Sequence, residues 1–370
     1  MQDLIERFKN LSNTQQLAIA GGSGIVVVLL IVALVLSGGG DDSDPIASTT
    51  TTETPIIQES TTTSLPSSTT TTIDPGPVGE LWPLTGVAAL DANPTAPILV
   101  AKIDNSPSSR PQTGITEADM VIEVLVEGGV ARFLAFYQSS IPNEIGPIRS
   151  IREVDPKLIA PFDVALAHSG GVAANVEAVR QVAVDAGDPV LGSAAYGRDP
   201  DRPAPYDLML NPQVALDLAG ETTGDIWFRF DETTPVGEQA LTVDVSLSGT
   251  TNVTYRWSST DDGFLRFHGD NAHVDDQGDQ IVTNNVIVLF VPQIDSGRTD
   301  AAGNSVPDYQ VTGTGDAFVF RNGVAVRGVW ERGSQGDFFR ILDGGGQPIS
   351  LAPGKIWIEL APEGRDLDWR

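Results

Sequence analysis

The stretch MVIEVLVEGGVARFLAFYQ, residues 120–138, carries the clearest structural signal in the chain. Two runs rich in β-branched and aromatic residues, 120–127 and 130–138, flank Gly128 and Gly129. A two-residue connection between antiparallel strands requires positive φ angles, which glycine adopts without a steric penalty. The sequence therefore predicts a β-hairpin with a primed turn at the two glycines.

The register of this hairpin predicts a charged cluster. If the turn has two residues, Glu127 faces Val130, and Glu123 and Glu127 become the diagonal neighbours of Arg132 on one face. The other face of the hairpin is apolar, which is typical of a core surface. We therefore expect a Glu–Arg–Glu cluster on the face that points away from the core.

A strand, a glycine turn and a helix are predicted next. Phe162–Ala167 is an apolar run, His168 and Ser169 precede two glycines, and apolar residues then recur at helical spacing over 172–183. Backbone N–H groups at such a helix start can contact an anion. Because Ala167 stands where the Gly-x-Ser-x-Gly nucleophile elbow needs glycine, Ser169 is interpreted as a helix cap or an anion-contacting turn.

The chain from residue 80 onward divides into two parts by its pattern. Residues 80–235 combine strand and helix signals, whereas residues 236–361 contain short β-rich runs separated by Gly, Asp and Asn clusters. The second pattern is typical of a sandwich or barrel-like domain. The predicted fold class is α+β, with an α/β N-terminal head domain over 80–235 and a mostly β C-terminal domain over 236–361.

The N-terminal region predicts a membrane anchor. No charged residue occurs between Lys9 and Asp41, and Leu17–Leu36 is predominantly apolar. About 20 such residues are needed for a helix to cross the hydrocarbon core. A buried core helix would show a polar stripe, and a cleaved signal peptide would show a compact basic n-region and a small-x-small site. Neither pattern is present, so we expect residues 17–37 to form an uncleaved transmembrane helix.

The flanks of this helix predict its orientation. Arg7 and Lys9 precede it, whereas no basic residue follows it until Lys102. The positive-inside rule then keeps residues 1–16 in the cytoplasm and places the head outside the cell membrane. Residues 38–79 contain 12 Thr and 6 Ser among 42. This composition predicts a disordered linker, either a plain spacer or an O-glycosylated stalk.

Charge and cysteine content exclude several functions. The 370 residues include 22 basic and 49 acidic side chains, a formal charge of −27, so we expect no nucleic-acid partner. Cysteine is absent, which removes disulfides, zinc–thiolate sites, iron–sulfur clusters and a lipid-bearing cysteine. Neither a dinucleotide-binding glycine motif nor a Walker A motif is present. We expect no cofactor.

A string of short motifs runs through residues 80–361. They read Lys102-Ile103-Asp104-Asn105, Arg110-Pro111-Gln112, Ala118-Asp119, Glu127-Gly128-Gly129, Arg132-Phe133, Ile145-Gly146-Pro147-Ile148-Arg149-Ser150, Ala167-His168-Ser169-Gly170-Gly171, Arg202-Pro203-Ala204-Pro205, Asn285-Val286-Ile287-Val288 and Pro353-Gly354-Lys355-Ile356-Trp357. In this order they resemble the DUF3048 (YerB-like) family of bacterial cell-envelope proteins.

The resemblance implies a secreted or lipid-anchored protein with an N-terminal α/β part, a separate C-terminal domain and no characterised activity. The sequence departs from the family pattern in two places. The predicted transmembrane helix replaces the lipid-bearing cysteine. Pro205-Tyr206-Asp207 stands where relatives tend to have Pro-His-Asn, which weakens any role for a histidine in that loop.

The candidate ligand-binding residues are charged or polar side chains of these motifs and their neighbours. They are Asp104, Arg110, Asp119, Glu123, Glu127, Arg132, Arg149, Arg152, His168, Ser169 and Arg202. Converging carboxylates and guanidinium groups can bind a glycan or a peptide carboxylate. The alternative is that these charges merely neutralise one another in ion pairs.

Two histidines in the C-terminal part raise the question of a metal. His268, Asp270, His273, Asp275 and Asp276 lie within nine residues and could ligate a divalent ion. The Gly and Asn residues among them are typical of an exposed turn between strands. A turn is favoured, and no metal site is expected.

The layout predicts a single-pass membrane protein whose extracytoplasmic head binds a cell-envelope glycan, peptide or protein partner without turning it over. The alternative is a hydrolase of envelope polymers, with Glu123, Glu127 or Asp119 as acid and base. A purely structural spacer is a third hypothesis. Because no recognisable catalytic set accompanies the polar residues, a binding protein is favoured over an enzyme.

Overall fold

The computed structural model describes residues 80–90, 92–222, 228–300 and 303–370. The predicted cytoplasmic N-terminus, the transmembrane helix at Leu17–Leu36 and the linker all fall within residues 1–79, outside the described residues. Within the described ranges, no helix is both long enough and apolar enough to cross a membrane.

The described part of the chain is mostly β, with a few short helices. The helices are α1 (Asp155–Ile159), α2 (Ala173–Arg180), α3 (Asp188–Leu191) and α4 (Pro212–Leu216), with 3₁₀ turns at Pro107–Ser109, Glu127–Gly129 and Gly192–Ala194. The strands before residue 235 are β1 (Ile98–Asp104), β2 (Met120–Leu125), β3 (Ala131–Tyr137), β4 (Val164–Ala167), β5 (Val184–Asp185), β6 (Tyr196–Arg198) and β7 (Leu208–Leu210). The later strands are β8 (Glu238–Gln239), β9 (Thr242–Ser246), β10 (Asn252–Ser258), β11 (Gly263–His268), β12 (Asn271–Ala272), β13 (Val282–Thr283), β14 (Asn285–Val291), β15 (Gln293–Thr299), β16 (Ser305–Tyr309), β17 (Gly313–Arg321), β18 (Val324–Arg332), β19 (Arg340–Leu342), β20 (Ile356–Pro362) and β21 (Leu367–Trp369).

One large mixed sheet joins both parts of the head. Its strand order is β19-β18-β17-β14-β20-β2-β3-β1-β4-β5, with β8 paired to β18. Strand β20 runs parallel to both β2 and β14 and lies between them. The C-terminal segment is mostly β, as predicted, but several of its strands extend the N-terminal sheet instead of closing into a separate sandwich or barrel.

The central strands are buried on both faces, which explains their almost continuous apolar sequences. Every residue of β1, β2, β3, β4 and β20 is buried. A strand covered on both faces shows no alternation of apolar and polar residues. The hairpin sequence therefore could not indicate which face of β2 and β3 meets which neighbour.

A second sheet covers one face of the large sheet. It has the order β12-β11-β10-β9-β21, with β13 paired to β11, and Arg266 of β11 reaches Glu123 of the large sheet. The opposite face carries Phe136, whose ring lies 5.1 Å from the ring of Phe162. The predicted site residues are therefore distributed over two faces of one sheet.

Several predicted elements are present with shifted ends, and several observed elements were not predicted. The strand expected at 162–167 is β4, and the helix expected after it is α2. Hairpin β15–β16 and strand β21 had no counterpart in the sequence analysis. Strand β15 is mostly exposed and polar, so apolar periodicity gives no signal there.

Candidate ligand-binding site

The hairpin predicted over residues 120–138 is present, and both glycines have the positive φ that the turn requires. Gly128 and Gly129 have φ angles of 74° and 73°. The connection is one residue longer than predicted, because the Val126 N–H donates to the Val130 carbonyl across a three-residue loop. The register of the two strands is shifted accordingly.

This shift separates the predicted Glu–Arg–Glu cluster. Glu123 faces Phe133, and Arg132 faces Val124. Because successive side chains of a strand point to opposite faces, Glu123 and Arg132 lie on opposite faces of the sheet. The prediction that Glu123 and Glu127 flank Arg132 on one face is therefore wrong for Glu123.

One face carries an arginine cluster, formed by Asp104, Glu127, Arg132, Arg149 and Arg152. The Asp104 carboxylate accepts a hydrogen bond of 2.7 Å from Arg149 Nε and lies 3.7 Å from Arg132 Nε. Glu127 binds Arg152 through both of its carboxylate oxygens. Three guanidinium groups thus meet two carboxylates, which leaves one excess positive charge in a chain whose net charge is −27.

Both carboxylates of the arginine cluster are held in the ionised form. Burial acts to raise the pKa of Asp104, but hydrogen bonding by Ser106 and the adjacent Arg132 hold that pKa below its ordinary value. Burial also acts to raise the pKa of Glu127, but the hydrogen-bonded Arg152 guanidinium holds that pKa below its ordinary value. Neither group is therefore suited to act as a general acid near neutral pH.

Arg132 is the least satisfied member of the arginine cluster. Its side chain is buried, with 5% of the residue exposed. NH1 donates a hydrogen bond of 2.8 Å to the Ser150 carbonyl, whereas Nε has no hydrogen-bond partner among the described residues. Burial and the neighbouring Arg152 lower the pKa of Arg132 to about 10, so it stays protonated at neutral pH. A buried cation with an unused donor favours an anionic ligand.

Two hydroxyl groups lie at the edge of the arginine cluster. Ser169 follows β4, and its Oγ is 3.2 Å from the Ser150 Oγ. Helix α2 begins only at Ala173, and no side chain caps it. The prediction of a helix cap at Ser169 is therefore wrong, since its hydroxyl meets Ser150 and not the helix start.

His168 holds this turn in place as a neutral side chain. Nδ1 accepts a hydrogen bond of 2.9 Å from the Gly170 N–H, and Nε2 lies 3.0 Å from Asp185 Oδ1. Burial lowers the pKa of the ring. Because both nitrogens are engaged, His168 cannot serve Ser169 as a general base.

The other face carries a buried polar network of Glu123, Tyr255, Arg266 and Glu359, enclosed between the two sheets. Arg266 donates to Glu123 at 2.5 Å and lies 4.0 Å from Glu359. The Tyr255 hydroxyl donates to Glu359 at 2.5 Å. The side chains of Glu123, Arg266 and Glu359 have no solvent exposure. Glu123 and Glu359 face each other on neighbouring parallel strands.

The two facing carboxyl groups have different surroundings. Burial and the adjacent Glu123 carboxylate raise the pKa of Glu359 well above its ordinary value. Oε2 of Glu359 accepts no hydrogen bond from the described residues, so no donor stabilises a negative charge on that oxygen. Glu123, in contrast, accepts hydrogen bonds from Asn105 and Arg266. The network is therefore a structural ion pair beside a neutral acid.

The histidines considered as metal ligands belong to the surroundings of this network. His273 Nδ1 and His268 Nε2 lie 2.5 Å and 3.1 Å from NH1 of Arg266. Burial and this guanidinium group lower the pKa of both rings. Asp270 lies on the predicted turn between strands and pairs with Arg256. In the described ranges, no group of three or more His, Asp or Glu side chains is placed to hold a metal ion.

Besides Glu123, three predicted residues lie apart from the arginine cluster. Arg110 binds the loop that follows β1. Asp119 accepts hydrogen bonds from the segment 138–139, and burial raises its pKa. Arg202 donates to two carbonyls of the segment 109–111. Each of the three holds one chain segment against another.

A cavity of about 400 Å³ opens beside the arginine cluster. Its walls come from the segment 150–153, the start of α2 and hairpin β15–β16, and its volume is typical of small-ligand pockets. A larger cavity, of about 920 Å³, lies at the ends of β17 and β18. There the buried Arg332 is satisfied by backbone carbonyls. The smaller cavity is the better candidate because Glu127 and Arg152 of the arginine cluster line it.

Several residues of these groups were missed by the sequence analysis. Arg266 shares the inward-facing positions of β11 with Phe264, and Glu359 interrupts an apolar strand. A charged residue at an inward-facing position of a buried strand requires a buried partner. Arg266 and Glu359 within their apolar strands were therefore the sequence signal that could have indicated the network. Arg298, which lines the cavity, lies in the polar hairpin and gave none.

Comparison with known proteins supports the assignment of both parts of the head. Residues 84–224 match the family model described as "Protein of unknown function (DUF3048) N-terminal domain", and residues 243–358 match the corresponding C-terminal domain. The "Putative lipoprotein YerB" of Bacillus subtilis (strain 168) is 28% identical over 293 residues, which cover 76% of this chain and 86% of the relative.

The fold also resembles a solved structure. The crystal structure of the YerB protein from Bacillus subtilis matches with a TM-score of 0.66 at 23% identity, over 78% of this chain and 99% of that chain. At this level of identity the likeness establishes the fold and nothing about ligands.

Proposed function

Because the chain belongs to the DUF3048 family, with matches to both of its domains, we propose that it is a membrane-anchored extracytoplasmic protein that binds a cell-envelope partner. The name of the Bacillus subtilis relative describes a lipoprotein, a class of protein that is anchored outside the cytoplasm. This chain has no cysteine to carry a lipid. Leu17–Leu36 is therefore the proposed anchor, with the N-terminus in the cytoplasm and the head outside.

The arginine cluster is the observation that supports binding. It combines one excess positive charge, a buried Arg132 Nε that has no hydrogen-bond partner among the described residues, and Arg149, of whose side chain 22% is exposed. Guanidinium groups in such surroundings suit carboxylate or phosphate groups, which envelope glycans and peptides carry. The proposed partner is therefore a glycan, a peptide or a protein of the cell envelope that presents an anionic group.

No observation favours the alternative of a hydrolase. Glycoside hydrolysis needs two carboxyl groups on either side of an open cleft. Glu123 is fully buried against Arg266, and Glu127 and Asp119 are each held by hydrogen bonds. We therefore propose binding without turnover.

Co-sedimentation of the full-length protein with purified cell-wall material tests the binding proposal. We expect retention of the wild-type protein and about tenfold weaker binding of Arg149→Gln, the loss expected for one charge-assisted contact. Arg340→Gln is the matched control, because Arg340 is an exposed arginine far along the chain from the cluster. No retention of the wild type, or equal binding by both variants, would contradict the proposal.

Protease treatment of intact cells tests the proposed topology. A tag at the C-terminus is expected to be removed by external protease, and a tag at the N-terminus is expected to be protected. Protection of both tags in intact cells, with the protein in the soluble fraction, would exclude the anchor at Leu17–Leu36.

A further inference from the structure

The cavity beside the arginine cluster is bordered by two ion pairs from different parts of the chain. Arg152 pairs with Glu127 of the β2–β3 loop. Arg298 of β15 pairs with Glu153 at 2.6 Å, and all four side chains line the cavity. Opposite charges thus lie side by side in its walls.

The Arg298–Glu153 pair has hydrogen-bonding capacity that the fold leaves unused. Arg298 NH2 contacts Glu153 Oε1 and lies 3.5 Å from Asn175 Oδ1, and 41% of the Arg298 side chain is exposed. The second oxygen, Glu153 Oε2, is buried without a hydrogen-bond partner among the described residues. A ligand that offers both an acceptor and a donor would satisfy both residues.

The remaining wall residues restrict the chemistry of that ligand. Ile151, Val172 and Val306 supply aliphatic surface, and the described lining residues include no aromatic ring for stacking on a sugar. The charged lining residues Arg152 and Arg298 are paired with the lining residues Glu127 and Glu153, respectively. The two ion pairs place both signs of charge in the walls, so a group with charges of both signs is favoured.

We propose that this cavity binds an amino-acid group that carries a free ammonium, a carboxylate and a small aliphatic side chain, as a short peptide does. Arg298 binds the carboxylate, Glu153 binds the ammonium, and the aliphatic side chain packs on Val172 and Val306. This inference rests on the proposed function, since it names the ligand class that the envelope-binding head takes.

Calorimetric titration of the full-length protein with the dipeptide Ala-Ala tests the inference. We expect saturable binding, and about tenfold weaker binding of the N-acetylated dipeptide and of the dipeptide amide, each of which lacks one charge. In Arg298→Gln the dipeptide and its amide should bind equally. In Glu153→Gln the dipeptide and its N-acetyl form should bind equally. This charge-by-charge pattern identifies which residue meets which end.

Asp308→Asn is the control that shows whether a loosened β15–β16 hairpin by itself weakens dipeptide binding. Asp308 pairs with Lys157 and joins hairpin β15–β16 to α1 without lining the cavity, so this variant should bind the dipeptide as the wild type does. If the protein does not bind the dipeptide but still co-sediments with cell-wall material, the inference is overturned and the proposed function is not. Loss of both would also overturn the proposed function.

Discussion

Glu123 and Arg266 form a fully buried ion pair, 2.5 Å apart, that joins β2 of the large sheet to β11 of the second sheet. Glu123 lies in the segment of the N-terminal family domain, and Arg266 lies in the segment of the C-terminal domain. The large sheet also crosses this division, since β20 lies between β2 of the N-terminal part and β14 of the C-terminal part. The two family domains therefore share one core.

Glu123→Gln should destabilise the protein strongly. The substitution removes the carboxylate that the buried Arg266 guanidinium contacts at 2.5 Å and leaves only Glu359, which is 4.0 Å away and is held by Tyr255. Breaking a buried pair in this way costs about 3 kcal/mol or more. Urea denaturation of the full-length protein, followed by tryptophan fluorescence, measures the loss. A change of less than about 1 kcal/mol, the range of an exposed pair, would contradict the role given to this pair.

Glu359→Gln, at the facing position on β20, should become more stable relative to the wild type as the pH rises. Because the native pKa of Glu359 is raised, the folded state binds a proton that the unfolded state releases above about pH 4.3, so this group reduces stability as the pH rises. The amide side chain of the variant cannot ionise, so the variant does not lose stability in this way as the pH rises. The stability of the variant relative to the wild type should therefore increase between about pH 5 and pH 8.

Glu331→Gln provides the control, because Glu331 is an exposed carboxylate in a 3.8 Å pair with Arg340. Its stability relative to the wild type should not change over the same pH range. A Glu359→Gln variant that follows this control would show that Glu359 is ionised in the native protein.

All three histidines should remain neutral in the native protein at physiological pH. Burial is the largest cause in each case, and it lowers the pKa of His168, His268 and His273. In NMR titrations of the ring Cε1 protons, we expect each midpoint below the ordinary value of about 6.5, and midpoints near that value in urea. Since the unfolded chain then binds more protons, these groups reduce stability as the pH falls through about 6.5. A native midpoint at or above 6.5 would contradict the burial assigned to that ring.

The sequence predicted the hairpin correctly but not the pairing that defines the site. Gly128 and Gly129 located the turn, yet a loop of two residues could not be told from a loop of three, in which Glu127 also belongs to the connection. Since β2 and β3 are buried on both faces, no polar alternation could correct the register. One residue of shift placed Glu123 and Arg132 on opposite faces.

The partners of Glu123 were beyond sequence reasoning for a different reason. Arg266 follows it by 143 residues and Glu359 lies on a strand that is parallel to β2. Which distant strands pair is decided by the whole sheet, and apolar periodicity carries no information about it. The arginine cluster was easier, since Asp104, Arg149 and Arg152 belong to the motifs that located the candidate site or directly follow them.

Asp155→Asn should destabilise the protein by about 3 kcal/mol, because it leaves the Lys102 ammonium buried without a charged partner. Lys102 Nζ and Asp155 Oδ1 are 2.8 Å apart, neither side chain is exposed, and burial lowers the pKa of Lys102. The double variant Lys102→Met with Asp155→Asn should recover most of the loss, since Met fills the volume without a charge. Denaturation midpoints of the wild type and the two variants measure this, and a double variant as unstable as Asp155→Asn would argue against an unpaired charge as the cause.

Gly128→Ala should cost about 1 kcal/mol through backbone strain alone. Gly128 has φ of 74°, and a methyl group added there would meet no atom within 4 Å, so no steric contact contributes. Gly128→Asn should cost less, because Asn adopts positive φ more readily than Ala does. Gly344→Ala is the control, since Gly344 is equally open but lacks a positive φ. Thermal or urea denaturation should rank the stabilities as wild type and Gly344→Ala, then Gly128→Asn, then Gly128→Ala. If Gly128→Ala were as stable as Gly344→Ala, the three-residue loop and the register it imposes on Glu123 and Arg132 would have to be abandoned.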